Sequence, residues 1–268
     1  MERKLFFFDV DGTLIDDKTK IVPQSAMDAI RALKKAGHLL FLNSGRTLCF
    51  LEFQMEQFGI SCAACGCGTQ VIVDGNTIFE KRIDHRRGLE IKKSLKKYGI
   101  DAVLEAQQGC YFSDRPFHNP DIMEDLLDYV SAYAETEVNA LDDSSYDFDK
   151  FCIQTDPLFP GRTALKEFFD TIPDFDCIDR ARGFYECVPR GCSKGSAIHF
   201  VRNYFGISPE NIYVFGDSAN DLTMFTSDAG NRILMGEHDT VLEPYATFVT
   251  KKVLDDGLAY ALKKYGLL

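Results

Sequence analysis

The chain opens on an apolar run with no polar alternation, Leu5-Phe6-Phe7-Phe8, which predicts a strand covered by helices on both faces. Behind Pro23, apolar positions Ala26, Ile30 and Leu33 fall at helical spacing with Gly37 beyond them, the pattern of a crossover helix. Residues 39–42 repeat the buried-strand pattern and break at Asn43-Ser44-Gly45-Arg46, before a helix predicted over 47–58 and stopped by Gly59. A strand at 60–64 and a Gly-rich turn come next. Two β-rich runs, 71–73 and 77–79, then flank Asp74-Gly75-Asn76, a hairpin signal.

From about residue 84 the order changes. The pattern predicts a helix over 86–98, strands over 101–105 and 110–113, a helix over 120–134, a strand over 148–154, a helix over 162–171 and strands over 174–179 and 184–188. The acidic stretch Glu135 to Asp149 reads as a solvated loop. The first pattern resumes at Arg190-Gly191-Cys192-Ser193-Lys194-Gly195. A helix follows, with Ala197, Val201, Tyr204 and Phe205 inward, and then a strand over 212–215 that ends in Gly216-Asp217-Ser218-Ala219-Asn220-Asp221. Short strands over 231–235 and 246–250 and a helix over 254–265 close the chain. Alternating strands and helices predict an α/β fold, a doubly wound, mostly parallel Rossmann-like core sheet over 1–83 and 190–268. Paired strands between helices, without phosphate-type loops, predict an inserted α+β layer over 84–189.

Composition narrows the partners. With 268 residues the chain can bury a sizeable core, and a formal charge of -11 with a pI near 4.9 argues against nucleic acid or an anionic membrane. Nothing near the first strand resembles a signal peptide, and no apolar stretch could span a bilayer, so a cytoplasmic protein is expected. Nine cysteines, an odd number, fit reduced thiols better than a disulfide framework. Cys62, Cys65 and Cys67 cluster tightly but lack a second pair at zinc-finger spacing, so they read as small buried thiols at a Gly-rich turn. The five scattered histidines are assigned no chemistry.

The candidate chemistry lies at strand ends. Side chains at i and i+2 of an extended segment leave on one side, so Asp9 and Asp11 can converge while Val10 faces away, and Gly12 lets the chain turn. Two carboxylates so placed repel each other, and a hard divalent cation such as Mg²⁺ removes the conflict, usually arriving with a substrate phosphate. The plainer alternative, acids that merely end a strand and cap a turn, stays open on these residues alone. Ser44-Gly45 between a strand end and a helix start offers amides to a phosphate, and Lys194 offers a point charge.

Four motifs stand in one order: Asp9-Val10-Asp11-Gly12-Thr13, Ser44-Gly45-Arg46, Lys194, and Gly216-Asp217-Ser218-Ala219-Asn220-Asp221. The set resembles the haloacid dehalogenase superfamily, in particular its Cof-like phosphatases, whose large α/β cap is inserted after the third core strand. The resemblance spans almost the whole chain and implies a Mg²⁺-dependent phosphomonoesterase that proceeds through an aspartyl-phosphate. It implies Asp9 as nucleophile and metal ligand, and Asp11 as general acid and base with its main-chain oxygen on the metal. Val10, Ser44, Gly45, Arg46, Lys194 and Asn220 would bind the substrate phosphoryl group. Asp217, with Ser218, would complete the metal site, and Asp221 would orient Lys194 or the metal's waters. Two departures bear on substrate preference. Cys67-Gly68-Thr69 stands where such relatives carry Asn-Gly-Ala, and Gly236-Glu237-His238 where they tend to carry Gly-Asn-Ala. A phosphomutase or a non-catalytic phosphometabolite sensor would share the core. The expected partner is a small phosphorylated metabolite, sugar phosphates first and pyridoxal phosphate or flavin mononucleotide next, with the oligomeric state left open.

Overall fold

A computed structural model describes residues 2–155, 162–180 and 182–268. In chain order, β1 (Leu5–Phe8), α1 (Gln24–Lys35), β2 (Leu39–Asn43), α2 (Leu48–Phe58) and β3 (Cys62–Cys65) alternate as the apolar pattern predicts. The hairpin β4 (Gln70–Val73) and β5 (Asn76–Glu80) follows. Its turn places Asp74 and Gly75 both at positive φ, 47° and 78°, the conformation that Asp-Gly tolerates and that matches the twist of the paired strands. Next come α3 (His85–Tyr98), β6 (Asp101–Glu105), β7 (Gly109–Phe112), α4 (Pro120–Ser131), β8 (Glu135–Glu137), β9 (Lys150–Gln154), α5 (Arg162–Thr171), β10 (Phe175–Asp179) and β11 (Phe184–Pro189). The chain closes with α6 (Lys194–Phe205), β12 (Ile212–Gly216), the short α7 (Leu222–Phe225), β13 (Asn231–Leu234), β14 (Phe248–Val249) and α8 (Gly257–Lys264).

Two compact units result: Met1–Gly45 with Phe53–Phe79 and Ser193–Leu268, and Arg46–Glu52 with Glu80–Cys192. The first holds a sheet in the order β14-β13-β12-β1-β2-β3-β4-β5, parallel from β14 to β3 and antiparallel where β4 joins β3. Leu5, Phe7, Leu39, Phe41, Ile212 and Val214 form one cluster with Ala197, Ile198 and Val201 of α6. The alternate residues Phe6, Phe8, Leu40, Leu42, Tyr213 and Phe215 are buried on the opposite face. A strand buried on both faces has no polar position to spare, which is why these segments read as unbroken apolar runs. Because β1 has β2 on one side and β12 on the other, the strand order reverses at β1, and the crevice of such a sheet opens at its carboxyl end.

The second unit holds a sheet in the order β10-β11-β9-β6-β7-β8, antiparallel except between β7 and β8. Ala102, Leu104, Phe151, Ile153 and Cys187 pack with Ile91 and Leu95 of α3 and Phe168 of α5, while Val103, Cys110 and Phe112 pack with Met123, Leu127 and Val130 of α4.

Two expectations are corrected. The stretch 135–149 is not a solvated loop throughout: it contains β8, and Ala140, Leu141, Tyr146 and Phe148 are buried. Tyr146 stacks on Tyr111 at 3.4 Å between centroids, and the buried Lys92 ammonium donates to the carbonyls of Asp143 and Tyr146. The acids of this stretch hide its apolar positions from a composition reading. Tyr204, expected inward, is 58% exposed, because α6 turns Ala197, Ile198 and Val201 to the sheet instead.

Candidate active site

The register of the parallel strands brings the motifs to one edge. Phe8 pairs with Leu42 on one side and Phe215 on the other, so the residues just past β1, β2 and β12 end at one level. The Asp9 amide donates to the Phe215 carbonyl at 3.0 Å, fixing Asp9 against the start of the Gly216–Asp221 loop. Across this edge lies Lys194, at the first turn of α6 behind a Ser193 capping box.

Lys194 Nζ donates to Asp9 Oδ1 and to Asp221 Oδ1, each at 2.6 Å, with all three residues buried. One carboxylate oxygen from each of Asp9, Asp217 and Asp221 lies within 4.8 Å of the others, and this is the acidic group among the described residues that could hold a metal ion. Asp217 Oδ1 accepts from the Thr13 hydroxyl at 2.8 Å. Gly12, at φ +79°, lets the backbone press against the Asp217 carboxylate, where a Cβ would come within 2.3 Å of Oδ2. Asp221 is committed on both oxygens: Oδ1 takes Lys194, and Oδ2 accepts the amides of Asp217 at 2.9 Å and Ser218 at 3.2 Å. That leaves Asp9 and Asp217 as the carboxylates better placed to take a cation.

Electrostatics point the same way. Burial pushes the Asp9 carboxyl up to about 7, although Lys194 beside it acts to lower it. Burial, joined by the neighbouring carboxylates of Asp9 and Asp221, pushes Asp217 up to about 9. Burial alone would lower Lys194, but Asp221 and Asp9 together raise it above the ordinary lysine value, so the ammonium stays charged. Fully ionised, three buried carboxylates around one ammonium would carry excess negative charge, and an oxygen-only donor set of this kind suits a hard divalent cation.

The remaining sequence-derived residues follow the ends of β1, β2 and β12 along the chain. Asp11 keeps a third of its side chain exposed, with Lys20 Nζ at 3.7 Å from Oδ1. Val10 is fully buried and its carbonyl accepts from the amides of Leu14 and Ile15 at 2.9 and 3.0 Å, which folds the turn back on itself. Ser44 is buried just past β2, its amide bonded to the Ala64 carbonyl and its carbonyl to the Cys67 amide, each at 3.0 Å. Gly45 and Arg46 are half-buried, and the Arg46 guanidinium donates to the Tyr129 hydroxyl at 3.2 Å. Ser218 and Asn220 are half-buried, the Ser218 hydroxyl donating to Asn220 Oδ1 at 2.7 Å. Cys62, Cys65 and Cys67 are buried. Thr13 and Asp239, which bond to the loop bearing Asp217, were given no role from sequence. Their signals were a hydroxyl in the first motif and an aspartate ahead of Thr240.

A family profile described as haloacid dehalogenase-like hydrolase matches residues 6–262. The chain is a haloacid dehalogenase-like hydrolase. This member of the family is 29% identical over 273 residues to the putative phosphatase YkrA of Bacillus subtilis strain 168, covering 100% of both chains. It is 26% identical over 282 residues to the 5-amino-6-(5-phospho-D-ribitylamino)uracil phosphatase YwtE of the same organism, covering 96% of each. A hypothetical protein from Geobacillus kaustophilus HTA426 shares its fold with a TM-score of 0.86 at 25% identity, over 100% of both chains. Hydrolases of this family generally use a divalent metal, and the Asp9, Asp217 and Asp221 cluster is compatible with one. The enzyme class of this haloacid dehalogenase-like hydrolase is phosphatase, as the family and the relatives' names agree.

Proposed function

We propose that the protein is a Mg²⁺-dependent phosphomonoesterase that releases phosphate from a small phosphorylated metabolite through an aspartyl-phosphate on Asp9. The observation that carries this reading is the buried Lys194 ammonium bonded at 2.6 Å to Asp9 at the point where the strand order reverses. Uncatalysed hydrolysis of a phosphate monoester can demand accelerations up to ~10²¹-fold, roughly 29 kcal/mol. Positioning can supply about 7 to 11 kcal/mol and one preorganised donor about 3 to 4, so several groups must converge.

In this reading Lys194 holds Asp9 Oδ1, which turns the other carboxylate oxygen toward phosphorus. That oxygen forms a bond to phosphorus as the bond to the leaving oxygen breaks, and protonated Asp11 gives its proton to the leaving alkoxide. Asp11, now a carboxylate, takes a proton from water. The water oxygen attacks phosphorus, and Asp9 departs as a carboxylate with inorganic phosphate released. Lys194, Ser44, Asn220 and the amides of Val10 and Gly45 meet the phosphoryl oxygens, while Asp221 keeps Lys194 aimed. Asp9, Asp217 and the Asp11 main-chain oxygen, with Ser218, would hold Mg²⁺, whose chemistry when bound is to neutralise charge between the anionic nucleophile and the anionic phosphate.

A sugar or sugar-alcohol phosphate is the substrate class we favour, supported by the phosphorylated ribityl group in the name of YwtE. The same reading divides the chain into a catalytic core over 1–83 and 190–268 and a substrate-selecting cap over 84–189, and places it in the cytoplasm. The test is phosphate release from a panel of sugar and sugar-alcohol phosphates, with Mg²⁺ and with a chelator. Asp9→Asn should cost at least ~10³-fold in kcat while the protein stays folded by circular dichroism. Undiminished turnover in that variant would refute the assignment.

A further inference from the structure

Asp239 lies just before the turn Thr240–Tyr245, where an aspartate ordinarily caps its own helix, yet its side chain makes no cap bond there. Its Oδ2 accepts from the Ala219 amide at 2.7 Å, and its own amide donates to the Asp217 carbonyl at 2.8 Å. These two bonds grip the two ends of Asp217–Ala219. The support is itself anchored: the Met235 amide donates to the Gly216 carbonyl and the Gly236 amide to the Lys251 carbonyl, each at 3.0 Å.

The effect falls on one residue. Asp217 has its amide held by Asp221, its carbonyl by Asp239 and its side chain by Thr13. Asp221 and Thr13 belong to the motifs at the sheet edge. Asp239 comes from outside all of them, and it is exposed. A carboxylate that must meet a cation to within about half an ångström needs its backbone fixed as well as its rotamer.

We propose that Asp239 is a positioning residue that sets the Asp217 carboxylate for a divalent cation, acting through the backbone of the 217–219 loop. The inference rests on Asp217 being a cation ligand, as the proposed function has it. Asp239→Ala removes the acceptor for the Ala219 amide, whereas Asp239→Asn keeps a carbonyl oxygen in the same place without the charge. The measurement is Mg²⁺ affinity of the full chain by titration calorimetry, with no substrate present, alongside melting of the metal-free proteins. Asp239→Ala should bind Mg²⁺ about tenfold more weakly. Asp239→Asn should stay within about threefold of the parent, and both should melt like the parent without metal. Equal losses in the two variants would show that charge and not position matters, and would overturn the proposal. So would two variants that bind as the parent does. A parent chain that binds no divalent cation would instead overturn the metal reading of Asp217, and this inference with it.

Discussion

At the scale of single residues, Asp9 and Asp217 carry a cost that shows as a dependence of stability on pH. Their ordinary carboxyl value of 3.8 is pushed by burial to about 7 and about 9 in the folded chain. Between those limits the unfolded chain has released protons that the folded chain still holds, so stability falls as pH rises through the window and levels off above about 9. Lys194 shifts upward and stays protonated across the window, so its contribution persists there. Under the proposed function, a cation on Asp9 and Asp217 would replace the protons. We therefore expect the melting temperature in chelator to fall steadily between about pH 5 and pH 9, and the stabilisation given by saturating Mg²⁺ to widen over the same range. A Mg²⁺ stabilisation that does not change with pH would mean that these carboxylates are not the ones that meet the ion.

At the scale of elements, two glycines with nearly the same backbone separate strain from function. Gly12 has φ +79° and a Cβ there would sit 2.3 Å from Asp217 Oδ2, while Gly37, behind α1, has φ +83° and nothing within 4 Å. Gly37→Ala should therefore cost only the conformational strain, about 1 to 2 kcal/mol, and keep phosphatase activity. Gly12→Ala adds displacement of Asp217, and its kcat with Mg²⁺ should fall more than tenfold beyond any loss of stability. Steady-state kinetics and urea melts of both variants check this, and equal activity in the two would sink it. The same turn shows what was legible beforehand. β1, β2 and β12 were readable because both faces are buried and each run ends abruptly in polar residues. Asp74-Gly75 announced its hairpin because few other pairs adopt positive φ twice in a row. Partnership across distance was expected only from the resemblance, which put Asp9, Lys194, Asp217 and Asp221 at one site. The bond from Lys194 to Asp9 joins residues 185 apart, and no local pattern encodes it. The interior of 135–149 was hidden for a different reason: Tyr146 and Phe148 are spaced among acids, so composition outvoted them. Asp239 escaped because an aspartate before a turn already has an ordinary explanation, and only its bond to Ala219 shows that it works elsewhere.

At the scale of the whole molecule, each of the two sheets carries its own apolar clusters, and the chain as a whole carries a formal charge of -11. A phosphomonoester is itself an anion near neutral pH, so under the proposed function enzyme and substrate would repel each other at long range even though Lys194 would attract the phosphoryl group at contact. The two effects differ in reach. The Lys194 bonds act in a buried, low-dielectric place where dissolved salt screens little. The net field acts through solvent, and its screening length shrinks from about 30 Å at 0.01 M salt to about 8 Å at 0.15 M. Unfavourable approach should therefore weaken as salt is added while the contact interactions persist. With Mg²⁺ held at saturation, KM for a sugar phosphate should fall roughly threefold to tenfold between those two salt concentrations, with kcat nearly constant. Initial rates across a potassium chloride series measure both. A KM that climbs with salt would mean that basic groups near the site outweigh the acidic surface. The substrate would then be steered in, and the net charge of the chain would be irrelevant to its capture.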